Sequence, residues 1–483
     1  MRRLKMLLIL LGVLIAGTIA VIVISRREEK KEEIKNSDAV ILSIDPEAVT
    51  SLSWEYEETS LSLHRDGEWI YDDDSAFPVS EDVMNSLLSV FENFGAAFEI
   101  DSPEDLSQYG LSIPECTIKI GTAEKETTVL LGAFSTMDEK RYVSVGDGKV
   151  YLVNHDPMDD YSLELSDLIA HDEIPAAGLS GSEKITFSGT ENYTIELKRD
   201  SGLSVNEDDI YFTDGQALST AEVTSLLATV RALDLTNYVS YQAEENLSSY
   251  GLDSPELTIT LEYPVTDEDD HTEMKAFVLH LSRNPEELAA AEKEAAEQSE
   301  KETEDEEGSD PISEVPCYAR VGDSEIVYTI PYSSYSVLSA VSRNDLRHKE
   351  LVTAAWKDIS GMDVTLDGET YSLSAKAEIE NDEVVRIWSG PDGEEIDSSA
   401  LQNALTALSA QDADAFTADA PDGKEEIAFT LTIDNDSFPS EEIRLYRHDG
   451  ESCLAVVDGE SLCYVPRSAA VALIEAVNAI VLK

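Results

Sequence analysis

The sequence predicts an α+β fold: an N-terminal transmembrane helix followed by three tandem α+β repeats, the third degenerate. Each repeat is expected to hold antiparallel strands and hairpins with packed helices. Three observations predict this. Residues 6–24 form an uncharged apolar run. A thirteen-residue stretch beginning Leu106-Ser107-Gln108-Tyr109-Gly110-Leu111 recurs from Leu247, nine positions identical, with Tyr109 and Tyr250 141 residues apart. An aromatic or apolar hairpin with an Asp-Gly or Gly-Asp turn occurs three times, near residues 142–151, 318–328 and 454–464. A long internal period signals stacked structural units.

At the N-terminus, Arg2, Arg3 and Lys5 form a short basic tail (residues 1–5) before the apolar run. Nineteen apolar residues span roughly 28 Å as a helix, enough for a bilayer core. Ala20 offers a cleavage position, but the run continues to Ile24, which favours an uncleaved signal anchor. The tail is expected inside and the long remainder outside, a single-pass extracytoplasmic topology. Residues 25–39 mix Arg, Lys and Glu and read as a charged stalk.

The first repeat is expected over residues 40–174. Leu52, Trp54 and Tyr56, Leu61 and Leu63, then Trp69 and Tyr71 alternate as strands of a meander. Ser80 caps a helix carrying Val83, Leu87, Leu88, Phe91 and Phe94. In the repeated stretch, Ser102 is a candidate cap for a helix through Tyr109. Gly110 supplies the left-handed stop, Leu111 folds back, and Pro114 prevents resumption. Cys116, Ile118 and Ile120 then alternate as a strand. Tyr109, Gly110, Leu111 and Pro114, with Tyr250, Gly251, Leu252 and Pro255 in the second copy, are thus read as punctuation and packing rather than ligands. Asp147-Gly148 is hairpin-turn chemistry, and Asp167-Leu168 closes the unit.

The second repeat, 182–352, repeats this plan. Ser219 and Glu222 make a capping box before Val223, Leu226, Leu227, Val230 and Leu233. An acidic insertion at 286–314 reads as part nascent helix and part solvated spacer. Asp345-Leu346 matches Asp167-Leu168. The third repeat, 356–483, lacks Tyr-Gly-Leu, and residues 412–422 stand in its place. Leu401, Leu405 and Leu408 mark its central helix, and Val471, Ile474, Val477 and Ile480 a final amphipathic one. A divergent terminal unit is normal in a stacked array.

Charge bounds the partners. Ninety-nine acidic against 34 basic side chains give a net charge of −65. A nucleic-acid backbone would be repelled. Cys116, Cys317, Cys453 and Cys463 include no C-x-x-C pair, so a zinc or thioredoxin-type site has no support. A two-residue turn at Asp458-Gly459 sets Cys453 opposite Tyr464 and Leu454 opposite Cys463. A disulfide there is possible but not predicted.

The anchor, the Leu-Ser-x-Tyr-Gly-Leu-x-x-Pro-Glu-x-Thr-Ile stretch and the Tyr…Asp-Gly…Tyr hairpin together resemble the bacterial family DUF4340, a domain of unknown function. The resemblance implies a membrane-anchored extracytoplasmic protein. Some members are encoded beside gliding-motility-type ABC-transporter components, which implies an accessory role at such a transporter. No catalytic residue is assigned to the family, so none is carried over.

Phosphate-cradling, zincin, nucleophile-elbow and EF-hand motifs are absent from the sequence. His64, His155, His171, His271, His280, His348 and His448 are scattered, although a Ser-His-Asp site need not be sequential. Residues 267–273 are the densest oxygen-ligand cluster and read as a hairpin tip rather than a calcium site. Trp54, Tyr56, Trp69 and Tyr71 would form a carbohydrate platform only if they faced solvent. The expectation is a non-enzymatic interaction or accessory module without cofactor, catalytic or metal residues. A cell-envelope ligand binder is the alternative, recognising wall polymer, peptide or divalent cation. A hydrolase is the least supported reading.

Overall fold

The computed structural model describes residues 39–482 apart from 102, 177–180, 200, 268–269, 300–309, 367 and 381–382. The expected transmembrane segment (6–24) and most of the stalk lie outside the described residues. Among the described residues no helix is long and apolar enough to cross a membrane. The longest, Pro285–Ser299 and Arg467–Val481, have fifteen residues, about 22 Å at ~1.5 Å per residue.

The α+β expectation is corrected to a mostly β architecture. Three large antiparallel sheets, of nine, nine and seven strands, dominate the chain. Helices are few and short beside them. The chain forms two compact units, residues 1–171 and 172–483.

The first unit holds β1 (Ala39–Leu42), β2 (Val49–Tyr56), β3 (Thr59–Asp66), β4 (Glu68–Tyr71), β5 (Phe94–Ile100), β6 (Cys116–Thr122), β7 (Glu126–Ser135), β8 (Lys140–Ser144) and β9 (Val150–Val153). Their order is β1-β5-β9-β8-β7-β6-β2-β3-β4. The predicted meander is β2-β3-β4, with Leu52, Trp54, Leu61, Leu63, Trp69 and Tyr71 buried and Glu55, Ser62, His64 and Glu68 exposed. Ser80 Oγ accepts from the Val83 amide and starts the helix Glu81–Ser89. That helix lays Met84, Leu87 and Leu88 on the sheet. The Ser80 amide donates to the carbonyl of Leu168, 2.8 Å away, which ties the cap to the closing segment.

The second unit carries two sheets. One comprises β10 (Lys184–Ser188), β11 (Tyr193–Leu197), β12 (Tyr211–Thr213), β13 (Gln216–Leu218), β14 (Tyr238–Ser240), β15 (Leu257–Thr266), β16 (Thr272–Arg283), β17 (Cys317–Val321) and β18 (Val327–Ile330). Its order is β13-β12-β11-β10-β15-β16-β17-β18-β14. The other comprises β19 (Ile359–Leu366), β20 (Glu369–Glu380), β21 (Glu383–Ser389), β22 (Glu425–Ile433), β23 (Ser440–Arg447), β24 (Ser452–Val457) and β25 (Glu460–Pro466), in the order β21-β20-β19-β22-β23-β24-β25.

Seven strands are common to all three sheets. A three-strand meander is followed by the central helix, then by a four-strand meander whose first strand docks antiparallel on the first strand of the other (β2·β6, β10·β15, β19·β22). In the first two sheets the strand after the central helix (β5, β14) pairs with the last strand. In the third, residues 412–422 take that edge: Phe416 bridges Cys463, and the Thr417 amide donates to the Leu462 carbonyl. The Ser219 cap repeats the Ser80 arrangement, donating its amide to Leu346 O at 2.9 Å.

Three local expectations shift. The final helix buries Ala469, Ala470, Leu473, Ala476 and Val477, so its inner face is centred on small residues, with Ile474 and Ile480 at the margin. In the β24–β25 hairpin a bulge after Ala455 moves the register by one, setting Cys453 opposite Val465 and Ala455 opposite Cys463. All four cysteines are buried free thiols. Within the acidic insertion the helix Pro285–Ser299 is formed and capped by Asn284, whose Oδ1 accepts from the amides of Glu286 and Glu287.

Candidate functional site

The repeated stretch is built the same way twice. Leu106–Tyr109 and Leu247–Tyr250 are single 3-10 turns, not the longer helix expected. Asp105 caps the first, accepting from the Ser107 amide, in place of the expected Ser102, which lies outside the described residues. Gly110 and Gly251 stop the turns at φ 71° and 70°. Two constraints select glycine. The left-handed backbone disfavours other residues, and a Cβ at Gly110 would lie 2.6 Å from the Ala133 amide, while one at Gly251 would strike the Arg283 carbonyl. Leu111 and Leu252 fold back into the core, their amides donating to Leu106 and Leu247. Tyr109 packs on Tyr142 with ring centroids 5.0 Å apart, and Tyr250 on Tyr318 at 4.8 Å. The stretch therefore clamps the hairpin, and Pro114 and Pro255 turn the chain into β6 and β15.

The glutamate after each proline does more. Strand register places Glu115, Glu256 and Glu426 at one position, each just before the residue that pairs with Leu131, Leu281 or Leu445. All three carboxylates hold arginine, supplied from different places. In the first repeat it is Arg141 on β8, 2.6 Å from Glu115. In the second it is Arg283 on β16, 3.0 Å from Glu256. In the third, Arg447 on β23 and Arg467 at the start of the last helix both bind Glu426. The third repeat thus keeps the acid although it has lost Tyr-Gly-Leu. It also keeps a close approach, since a Cβ at Gly423 would collide with the carbonyl of Arg447, the strand position of Arg283. Glu-Ile-Ala-Phe against Glu-Cys-Thr-Ile was the available sequence signal.

The repeats differ in what covers this pair. In the second, Tyr335 donates to Glu256 and stacks under Arg283, 4.8 Å from ring centroid to Cζ. In the third, Arg467 itself sits there. In the first, Met158 stands seven residues past Tyr151, as Tyr335 stands seven past Tyr328. There the site opens as a cleft of about 830 Å³, with Arg141 at its base. Arg141 is buried, donating to Glu115, to Asp156 at 2.7 Å and to the Gly132 carbonyl at 2.5 Å. Burial opposes its charge, but the bonds to Asp156 and Glu115 outweigh that and hold the guanidinium ionised. Two carboxylates on one guanidinium leave an excess negative charge, and Glu55 and Glu57 add to it on the wall. The Glu57 carboxylate, chiefly, pushes the Tyr56 phenol above its ordinary range. Ile113 on the rim is 88% exposed, and Met137 at the tip of the β7–β8 turn 90%. A cavity of this size and sign suits a cationic group carried on an apolar segment.

Other candidate chemistry resolves differently. Ser62 and His64 both bind Asp72, and Ser204 and His348 both bind Asp209. In each case the serine donates to the carboxylate rather than to the imidazole, so the Ser-to-His hydrogen bond of a nucleophilic triad is not formed. Trp54 and Trp69 are core residues, which removes the sugar platform. The 267–273 cluster closes the β15–β16 hairpin through the Asp267 amide to the His271 carbonyl, its residues 268–269 lying outside the description. Among the described residues no group of three or more His, Cys, Asp or Glu is arranged to hold a metal ion.

These features define a tandem array of sheet-and-helix repeats, each braced by a glutamate–arginine pair, with one brace left uncovered. The sequence matches the family described as "Domain of unknown function (DUF4340)" over residues 69–209 and 214–428, and the chain belongs to that family. No curated protein and no solved structure matches it.

Proposed function

We propose that this protein is a non-enzymatic interaction module, held at the outer side of a membrane by residues 6–24, that receives a basic, partly apolar segment of a partner protein in the cleft of the first repeat. The observation that carries the reading is the open acidic cleft over Arg141, whose counterparts are closed by Tyr335 and Arg467. Its acid excess supplies the attraction, and Ile113 on the rim supplies exposed apolar area. The resemblance to membrane-anchored proteins encoded beside transporter genes supports a subunit of an ABC transporter as the partner. The wiring of the two Ser-Asp-His clusters supports a non-catalytic role.

The test is a photo-crosslinking residue at Ile113 in the full-length protein in its native membrane. One discrete adduct to a membrane-complex subunit is expected, lost on Glu55→Lys/Glu57→Lys. A crosslink that survives that charge reversal, or no protein adduct at all, overturns the proposal.

A further inference from the structure

A second cleft, within the second unit, carries the opposite chemistry. It lies where the closing segment of the second repeat meets the third sheet, and its volume is about 410 Å³. Arg343, Asn344, Arg347, Thr417, Glu460 and Ser461 supply its polar wall. The 3-10 turn Asn344–Leu346 fixes the spacing of the two arginines, and Ser342 and Asp345 clasp it through a 2.8 Å bond from the Ser342 amide to Asp345 Oδ2. The Asn344 amide group donates to the Ala413 carbonyl, so both repeats hold the wall in place.

Arg347 is the outlier. Its guanidinium lies on the face of Phe416, 4.4 Å from Cζ to ring centroid, and is half-buried. Among the described residues no carboxylate pairs with it, in a chain where acids outnumber bases 99 to 34. Arg343, by contrast, meets the exposed Asp214 at 3.2 Å. Burial, then the nearby Arg343, makes the Arg347 charge harder to keep. A stacked guanidinium leaves its donor edge free for a planar, bidentate acceptor. The cleft also fixes the charge that acceptor carries. Arg343 and Arg347 are balanced in charge by Asp214 and Glu460, but Arg347 itself meets neither acid, so its free donor edge suits a single carboxylate better than a dianion.

We infer that this cleft is a carboxylate-binding site, with Arg347 as the anchoring residue, Arg343 beside it, and Asn344 and Ser461 as flanking hydrogen-bond partners. Its volume admits a small carboxylic acid. The inference is independent of the proposed docking cleft, which lies in the other unit.

The experiment is isothermal titration of the full chain with propionate, repeated with inorganic phosphate near pH 8, at constant ionic strength set by sodium chloride. One saturable propionate site per chain is expected, weakened about tenfold or more by Arg347→Gln, with phosphate binding more weakly. Absence of saturation, binding unchanged in Arg347→Gln, or phosphate binding tighter than propionate each overturns the assignment. Should Arg347→Gln fail to fold, Ser461→Asp replaces it. The new carboxylate in the cleft must abolish propionate binding, and retained binding overturns the site.

Discussion

Glu441→Gln should stabilise the third sheet in alkaline solution and leave it unchanged in acid. Glu441 lies on the inner side of β23, two residues before the buried Ile443 and opposite Leu431. It is 9% exposed, and its Oε2 has no hydrogen-bond partner. Burial, then the charge of Asp458, pushes its pKa from 4.5 up to about 7. Because the folded value lies above the unfolded one, the protonated form favours folding. Stability is full below 4.5 and falls as pH rises through about 7. At ~1.4 kcal/mol per unit, the full loss is about 3 kcal/mol. Glutamine keeps the shape and cannot ionise. Urea unfolding of the full chain would be read by the near-ultraviolet circular dichroism of Trp356 and Trp388, which stack 4.8 Å apart in the third repeat. Near pH 4 the two proteins should share a midpoint, and near pH 8 the variant should gain about 3 kcal/mol. Equal midpoints at both values would refute the claim that Glu441 is held protonated by burial.

Gly110→Val should destabilise the first repeat by about 1 kcal/mol from the left-handed backbone alone, with the contact to the Ala133 amide adding to it. A silent substitution in urea unfolding would contradict the cap geometry. At Glu426, burial opposes ionisation, but hydrogen bonds from Arg447 and Arg467 outweigh it and hold the carboxyl below its ordinary range. Its contribution is therefore present above 4.5 and lost as pH falls. Glu426→Gln should cost about 1–2 kcal/mol near neutrality, discounted because both arginines are partly exposed. A smaller cost near pH 3 than near pH 7 would confirm the sign. The four thiols are driven up by burial, Cys116 and Cys463 to about 12 and Cys317 and Cys453 to about 11. An aromatic disulfide reagent should thus titrate none of them in the native protein near pH 8 and all four in urea.

Much of the repeat plan was legible because it is written locally. Tyr-Gly-Leu, the serine caps and the glycine turns each impose a backbone state on a few residues, and each recurs where expected. The weight of strand over helix was harder to read. Short strands such as β12, β13 and β14 have three residues each, too few for alternation to show. The last helix misled because alanine is quiet in a pattern search: Ala469, Ala470 and Ala476 allow close packing, while the larger Ile474 and Ile480 remain at the edge. The β24–β25 bulge shifted the cysteines because one extra residue is invisible to turn counting. The glutamate–arginine brace was missed for a different reason. Its acid keeps one chain position, while its base comes from β8, β16, β23 or a helix start, so no fixed spacing marks the pair. The open cleft over Arg141 in the first repeat was hidden with it.

The brace also behaves as a socket with interchangeable stoppers. An aromatic ring fills one, a cation fills another, and a flexible thioether borders the third. Tyr335 lies four residues past the cap Pro331, whereas Met158 directly follows the cap Pro157, so the two borders come from different places on their short helices. One side chain, rather than the sheet beneath it, thus separates an open cleft from a sealed strut.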